Sequence, residues 1–355
     1  MSDVAGAARA AKNRRYPILD ALRSILALWV TVDHLGVFPL FAWADTTTKL
    51  GRLLVHGWAT VVFGTPAVIG FFIISGFCIH LPFRNNEKLY VGRYYARRYM
   101  RILVPVIAAL VVWRFAGFRQ GLFGEHSILW ESPLWSLLCE EIYYLLYPLI
   151  RRIRWRYGWT LLLSVTFPLS VGISLSHVHA TDWILYGPIG TTFILLPVWL
   201  LGCVLAEKSD YVAALNSKWE IWGWRFMIWL ASWVSEMLHF KFGVHTGVTM
   251  LWFGVLAFYW VKKEIAYGLN NSPSRLLVWA GAWSYSLYLI HGAAAEFYKL
   301  IPVPNLSIPV NWFVYYGFVL GSSYLFYLAI ERPSHLLARK MRITPHPKSP
   351  KPLAL

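Results

Sequence analysis

The chain has 355 residues, of which 57% are hydrophobic and only 14% are charged, and its formal net charge is +16. A soluble domain would carry roughly 25% charged residues, so this composition excludes an ordinary soluble globular protein. Windows of about 20 apolar residues recur, and the 20 Trp and 20 Tyr suit the interfaces of many membrane crossings. The sequence therefore predicts an all-α polytopic membrane protein whose positive charge lies in cytoplasmic loops and does not bind nucleic acid.

Ten apolar segments follow one another, separated by short polar or Pro/Gly-containing connections. They cover about 17–39, 58–80, 101–118, 134–150, 159–177, 184–206, 220–238, 246–261, 276–298 and 311–330. With a cytoplasmic N-terminus, 25 of the 33 Lys and Arg residues fall inside, six outside and two within spans, which is the bias that the positive-inside rule expects. We therefore predict about ten transmembrane helices with both termini cytoplasmic: a basic tail over 1–16, one transmembrane domain over 17–335, and a basic, Pro-rich tail over 336–355.

The first span carries ionisable groups, which are costly in a bilayer and indicate either function or a buried partner. Arg23 and His34 lie eleven residues apart, about 16 Å along a helix and close to the same face, with Arg23 toward the cytoplasmic end. Asp20 is three residues before Arg23 and can pair with it, whereas Asp33 is rotated about 100° away from His34. The alternative is that these polar groups only satisfy one another or neighbouring helices.

The fourth span contains Glu140 and Glu141 less than two turns below its outer start. This depth is similar to that of His34, reached from the opposite chain direction. A carboxylate beside an imidazole can orient it and stabilise its protonated form. The alternative is a structural His–Glu pair that bridges two helices, and the pattern alone does not choose between the two glutamates.

An arginine-rich stretch follows the second span on the predicted cytoplasmic side. Arg93, Arg97 and Arg101 share one helical face, and Arg98 flanks them. Such a face suits anionic lipid headgroups or a phosphate-rich ligand, and composition favours neither.

The ninth span is the last with an unusual set of polar residues: Ser284, Tyr285, Tyr288 and His291. Tyr288 and His291 are three residues apart and can face one cavity, although a histidine in this position could also only complete a hydrogen-bond network. Cys78, Cys139 and Cys203 show neither metal-ligand spacing nor a disulfide framework, so we predict buried packing cysteines and no metal.

These groups together indicate a site that takes an anionic ligand from the cytoplasm and acts on something across the membrane. Six stretches also match, in order, the motifs of one family: LDALRSILALWVTVDH, FFIISGF, YYARRYMRILVP, WSLLCEEIYYLLYP, WSYSLYLIH and ERP. Over roughly residues 17–335 the chain thus resembles membrane-bound acyltransferase family 3, the integral-membrane O-acyltransferases of bacterial surface and secreted glycans. It looks like the standalone type, without an appended esterase-like domain.

The resemblance implies transfer of an acyl group, usually acetyl, from cytoplasmic acyl-CoA to a hydroxyl of a glycan or lipid-linked glycan in the bacterial cytoplasmic membrane. At matching positions His34 is the catalytic histidine, and the glutamate of the motif falls on Glu140. Residues implied in binding are Arg23, Arg97, Arg98, Arg101 and Ser75 for the cofactor, and Tyr288, His291 and Trp135 for the substrate. The serine–glycine pair Ser75–Gly76 would let a substrate arm pass between helices.

The mechanism predicted on this basis has His34 as general base, oriented by Glu140. In an alternative route His34 is acylated first. Two other functions stay open at this point: a transporter that exports a glycan, lipid or small anion, and an acyltransferase for a small secreted molecule such as a macrolide sugar or a nodulation-type oligosaccharide. The absence of an inverted repeat disfavours the transporter.

Overall fold

The computed structural model describes residues 16–118, 134–176, 186–302, 304 and 306–340. Within these ranges the chain is helical and forms no β-strand. Almost all of the predicted N-terminal tail and most of the predicted C-terminal tail lie outside the described residues, as does Arg119, one of the cations predicted to lie outside.

Twelve α-helices make up the described part of the chain. They are α1 Pro17–Leu35, α2 Lys49–Ala59, α3 Gly64–His80, α4 Val91–Phe115, α5 Trp135–Ser176, α6 Gly187–Lys208, α7 Lys218–Phe242, α8 Thr246–Gly268, α9 Arg275–Gly281, α10 Ser284–Lys299, α11 Ile308–Phe326 and α12 Arg332–Lys340. Short 3-10 turns follow α3 and α6, and a π-helical turn, Tyr327–Glu331, joins α11 to α12. Each of the ten predicted apolar segments overlaps a helix.

Four helical stretches in the described ranges are long and apolar enough to cross a membrane. They are Lys49–Phe83, Trp135–Ser176, Tyr186–Tyr211 and Ile308–Lys340. Other helices carry more charge: α1 contains Asp20, Arg23 and Asp33 within 19 residues. The apolar helices confirm a membrane protein, whereas about ten crossings and two cytoplasmic termini stay predictions.

Helix α5 contains both the fourth and the fifth predicted span. Gly158 interrupts it with φ 78° and ψ 175°, a conformation that a residue without Cβ adopts readily. The whole stretch has 42 residues, about twice the length that one crossing needs. The break at Gly158 therefore divides α5 into two arms that correspond to the two predicted segments.

The centre of the molecule is the crossing of α3 and α6, the most extensive helix–helix contact among the described elements. A Cβ on Gly76 would lie 2.1 Å from the Trp199 carbonyl oxygen, and a Cβ on Gly202 would lie 2.1 Å from the Ile73 carbonyl oxygen. Small residues allow such close backbone approach. The expectation that Gly76 leaves room for a substrate arm is therefore wrong, because the backbone of α6 occupies that space.

An ion pair with a fully buried carboxylate and a partly exposed guanidinium joins α7 to α8. Arg225, which the sequence places within the seventh span, donates from Nε and Nη2 to the Glu264 carboxylate at 2.7 and 2.9 Å. Trp260 Nε1 donates to the same carboxylate at 3.1 Å. Glu264 is fully buried. It lies within α8 because that helix continues to Gly268, seven residues past its predicted end.

The remaining packing leaves a space beside α3. Helix α1 packs against α3, α9 and α10, while α12 packs along α4. Gly281 at the end of α9 approaches α1 closely, since a Cβ there would lie 1.9 Å from the Asp20 carbonyl oxygen. The cavity described below lies between these helices.

Candidate active site

A cavity of about 470 Å³ is lined by residues of α1, α3, α4, α5, α9, α10 and α12. It brings together six of the ten residues that the sequence assigns to the site: Arg23, Ser75, Arg98, Arg101, Glu140 and Tyr288. The other four, His34, His291, Arg97 and Trp135, do not line it. The sequence motifs therefore converge on one space, although they do not all reach it.

Arg23 provides one of the cations of the cavity. Its Nη1 donates to Asp20 Oδ1 at 3.0 Å, which confirms the pair expected from their spacing. Its Nη2 donates to Cys78 Sγ at 3.1 Å. Cys78 lines the cavity, so the prediction of a purely packing cysteine is wrong there, whereas Cys139 and Cys203 are buried.

Two further cations come from α4. Arg98 lies over the Tyr144 ring at 5.3 Å, and its buried Nε has no hydrogen-bond partner among the described residues. Arg101 Nε donates to His335 Nε2 at 3.3 Å. Among the described residues, neither arginine has a carboxylate within 4.0 Å. This end of the cavity therefore holds two guanidinium groups without a carboxylate in ion-pair contact in the described ranges, while Asp20 and Glu331 also line the cavity.

The arginine face differs from the predicted one. The sequence groups Arg93 and Arg97 with Arg101, but the structure presents Arg98 and Arg101 to the cavity. Arg93 lies over the Tyr90 ring instead. Because four positions share nearly one face of a helix, spacing alone could not show which side of α4 meets its neighbours.

Helix α12 adds site residues that sequence reasoning missed. His335 and Arg339, four residues apart, both line the cavity. Glu331, just before them, accepts a hydrogen bond from the Ser286 backbone N–H at 3.1 Å and lies 3.5 Å from His335. The available signal was this spacing directly after the ERP motif: His335 is the last residue of the predicted transmembrane domain, and Arg339 falls in the predicted tail.

Glu140 belongs to a network in the wall of the cavity. It accepts a hydrogen bond from the Tyr144 hydroxyl, which also bonds to Ser75 Oγ at 2.9 Å. Trp199 Nε1 donates to the same Ser75 oxygen at 3.2 Å. Glu141 does not line the cavity, and its buried Oε1 has no hydrogen-bond partner among the described residues.

The cavity ends at Ser136 and Tyr288, whose hydroxyl groups are 2.6 Å apart. One helical turn beyond Tyr288 along α10 is His291, which is fully buried. Its Nε2 lies 2.8 Å from His34 Nδ1. The polar path thus continues past the end of the cavity to a histidine pair.

The predicted direct contact between His34 and Glu140 is wrong. Among the described residues the hydrogen-bond partner of His34 is His291, and that of Glu140 is Tyr144. Counting turns gives the depth of a residue along its helix, but it does not tell which helix lies beside it. Helix α10 supplies the groups beside both His34 and the start of α5. Asp33 Oδ2 lies 3.9 Å from His34 Nε2, outside hydrogen-bond distance.

No group of three or more His, Cys, Asp or Glu side chains that could hold a metal ion occurs in the described ranges. The chemistry available in the described site comes from imidazole, carboxylate, hydroxyl, thiol and guanidinium groups.

Fold and site together define a helical membrane protein with a cavity lined by both apolar and polar side chains, of the kind that binds a small ligand. A family model described as an acyltransferase domain matches residues 16–329. The chain belongs to this acyltransferase family, which confirms the resemblance seen in the motifs.

Two curated relatives are similar to the chain. It is 26% identical over 353 residues to the peptidoglycan O-acetyltransferase OatA of Listeria monocytogenes, covering 84% of this chain and 51% of that protein. It is 25% identical over 331 residues to the acyltransferase MdmB of Streptomyces mycarofaciens, covering 78% of each. The chain thus spans about half the length of the first relative. No solved structure matches it.

Proposed function

We propose that the protein transfers an acyl group, most simply acetyl, from cytoplasmic acyl-CoA to a hydroxyl of a sugar-containing acceptor. It does so as a multi-pass protein of the bacterial cytoplasmic membrane, with about ten spans and both termini cytoplasmic. The observation that carries the proposal is the cavity, which holds Arg98 and Arg101 without carboxylate partners among the described residues at one end and approaches a histidine pair at the other.

The donor is proposed to bind with its phosphates at the cationic end. Arginine matches phosphate oxygens with paired N–H groups and is the usual residue for such recognition. Arg98 and Arg101 have no competing carboxylate within 4.0 Å among the described residues, and Arg339 lies at the same end. A ligand with several phosphate charges, such as coenzyme A, is therefore the chemistry that this end fits.

The pantetheine arm is proposed to run along the wall formed by Ser75, Tyr144 and Glu140. Its amide N–H groups need acceptors, and the Glu140 carboxylate provides one in the cavity wall. In this proposal Glu140 holds the donor rather than orienting His34. The thioester then reaches Ser136 and Tyr288 at the end of the cavity.

His34 is proposed as the base. The acceptor hydroxyl gives its proton to His34 as its oxygen attacks the thioester carbonyl carbon. The C–S bond then breaks, and the sulfur leaves with the proton from the imidazole. About a third of the His34 side chain is exposed, which leaves it within reach of an acceptor. Tyr288 and Trp135 stay proposed acceptor contacts.

The acceptor is proposed to be a surface or exported polysaccharide or oligosaccharide. One relative is named as an O-acetyltransferase of a glycan, peptidoglycan. A small secreted glycosylated molecule is the nearest other substrate, and parallel assays with both acceptor types decide between them.

The test uses detergent-purified full-length protein and ¹⁴C-acetyl-CoA. We expect a saturable rise in melting temperature with CoA, and transfer of label to a glycan acceptor. His34→Ala is expected to lower transfer at least about 10²-fold, the lower range for losing a general base, while keeping the melting shift. Wild-type transfer by His34→Ala would remove His34 from the mechanism, and no response to CoA or acetyl-CoA would contradict the donor.

Intact mass analysis after incubation with acetyl-CoA alone separates the two routes. Direct transfer predicts an unmodified protein. An added acetyl group that is lost in His34→Ala would establish acylation of His34 as the first step.

A further inference from the structure

The hydrogen bonds of His291 determine which of its ring nitrogens carries the proton. Its Nδ1 lies 3.1 Å from the Leu287 carbonyl oxygen and 3.0 Å from the Tyr288 carbonyl oxygen. A carbonyl oxygen can only accept, so Nδ1 must be the protonated nitrogen. The ring is fully buried, which favours the neutral form with a lone pair on Nε2.

The protonation of His291 also determines which nitrogen of His34 carries its proton, because the two rings are hydrogen-bonded. His291 Nε2 accepts, so His34 Nδ1, 2.8 Å away, must donate. The ring planes differ by only 14°, and the centroids are 5.1 Å apart. The hydrogen bond accounts for more than half of that separation, so the rings lie end to end in nearly one plane. An in-plane N–H···N bond requires this geometry.

We propose that His291 is the positioning residue that holds His34 in its Nδ1–H tautomer and leaves the His34 Nε2 lone pair as the base. The inference rests on the proposed acyl transfer. It replaces the predicted role of His291 as a substrate ligand, and it transfers to a neutral histidine the orienting role that the sequence assigns to Glu140.

Every proton in the proposed reaction has a donor and an acceptor in this arrangement. The acceptor O–H proton moves to His34 Nε2 while the new C–O bond forms, which makes His34 an imidazolium. Its Nδ1–H continues to donate to His291 Nε2, and the two carbonyl oxygens on His291 Nδ1 support the charge. When the C–S bond breaks, the Nε2 proton passes to sulfur and both rings return to their starting state. His291 gains and loses no proton.

Other groups near His34 do not supply this function. Asp33 Oδ2 is on the Nε2 side at 3.9 Å, and Glu140 is bonded to Tyr144. Among the described residues, the acceptor of the hydrogen bond from His34 Nδ1 is His291 alone.

The kinetic test compares His291→Phe with His291→Gln in full-length protein. Phenylalanine removes the acceptor, whereas a glutamine Oε1 can stand where Nε2 is and still accept from His34. We expect kcat to fall about 10²-fold or more in His291→Phe, with KM for acetyl-CoA and acceptor within about threefold of wild type. The kcat of His291→Gln should be at least about tenfold higher than that of His291→Phe. A raised acceptor KM with unchanged kcat would instead make His291 a substrate ligand and overturn the proposal.

A matched control comes from α7. His239 is also a buried histidine whose Nδ1 donates to a backbone carbonyl, that of Val244 at 2.8 Å. It does not line the cavity. His239→Gln should leave kcat at the wild-type value. A loss there equal to that of His291→Phe would mean that kcat reports general destabilisation.

A spectroscopic test does not depend on turnover. In ¹⁵N-histidine-labelled protein, the signal that disappears in His34→Ala should have the Nδ1–H, Nε2-unprotonated pattern, and it should change in His291→Phe but not in His291→Gln. An Nε2–H pattern in the wild type would overturn the proposal even if acyl transfer is confirmed. Absence of any acyl transfer with an Nδ1–H pattern present would instead contradict the proposed function, while the tautomer assignment would stand.

Discussion

The arginines of the helical bundle fall into two groups that differ in whether a carboxylate of the protein neutralises their charge. Arg225 in α7 meets the Glu264 carboxylate through two hydrogen bonds, and Trp260 completes the set. Arg98 and Arg101 in α4 face a cavity, and their direct contacts among the described residues are with an aromatic ring and an imidazole. A buried charge is costly unless it is paired. Arg225 has its charge partner within the protein, whereas Arg98 and Arg101 obtain one only when an anionic ligand binds.

The comparison separates structural charge from binding charge without reference to sequence motifs. Both groups involve arginines in apolar surroundings, and neither would be distinguished by composition. What distinguishes them is the presence of a carboxylate within 4.0 Å and of a cavity beside the guanidinium. Changes in the first group should alter stability, and changes in the second should alter binding of CoA.

The largest effect is expected from Glu264→Gln, because it leaves the Arg225 guanidinium without its charge partner. Removing one partner of a buried ion pair costs about 3–5 kcal/mol, and the 31% exposure of the Arg225 side chain places the expected loss at the lower end of that range. We expect a large drop in melting temperature, with KM and kcat unchanged for the folded fraction. The double variant Arg225→Met/Glu264→Leu should recover most of the loss. A change in KM for acetyl-CoA at normal stability would place this pair in the site instead.

Arg101→Gln and Arg98→Gln should weaken CoA binding and leave the melting temperature of the free protein unchanged or higher. Hydrogen bonds to charged groups contribute about 1.5–3 kcal/mol, so Kd for CoA should rise about 10- to 100-fold by titration calorimetry. Arg97→Gln is the matched control from the same helix. If Arg97→Gln weakens binding as much as Arg101→Gln does, the face of α4 assigned to the ligand is wrong.

Arg339→Gln should have a smaller effect on the same measurement. The residue lies near the end of α12 and is exposed, so solvent screens its charge, and a loss of about 0.5–1.5 kcal/mol corresponds to a two- to tenfold weaker Kd. Lys340→Gln, at the next position and outside the cavity lining, should leave Kd unchanged. Equal effects of both substitutions would indicate a general charge effect instead of a contact.

Asp20→Asn is expected to change least, and in the opposite direction. Its side chain is 46% exposed, and such pairs contribute about 0.2–1 kcal/mol. Removing the carboxylate should cost little stability, and it should tighten CoA binding up to about threefold because Arg23 keeps its full charge for the ligand. Weaker binding in this variant would show that Asp20 holds Arg23 in the binding orientation.

The sequence predicted the helices well because apolar length and helix-compatible residues are local properties. It also separated the two arms of α5, since Gly158 and the basic residues before it mark the break. The sequence could not show which helices pack against one another. Spacing placed Arg93, Arg97, Arg98 and Arg101 on adjoining faces, but packing of α12 on α4 decides that the cavity receives the last two.

The site shows the same limit. Motifs gathered six residues around one cavity, and the spacing of Asp20 and Arg23 gave a correct contact. The histidine pair was not predictable, because His34 and His291 are 257 residues apart and only the packing of α10 on α1 joins them. Glu140 was matched to His34 by depth alone, which carries no information on lateral position.

The wide turn at Tyr327–Glu331 determines in which direction the side chains of α12 point. A π-turn holds one residue more than an α-turn, and each residue of a helix advances its direction by about 100°. Without that extra residue, α12 would present a different side to α4, and the side chains of His335 and Arg339 would turn out of the cavity together. One extra residue in this turn thus orients α12 so that its side chains complete a cavity built largely by the first half of the chain.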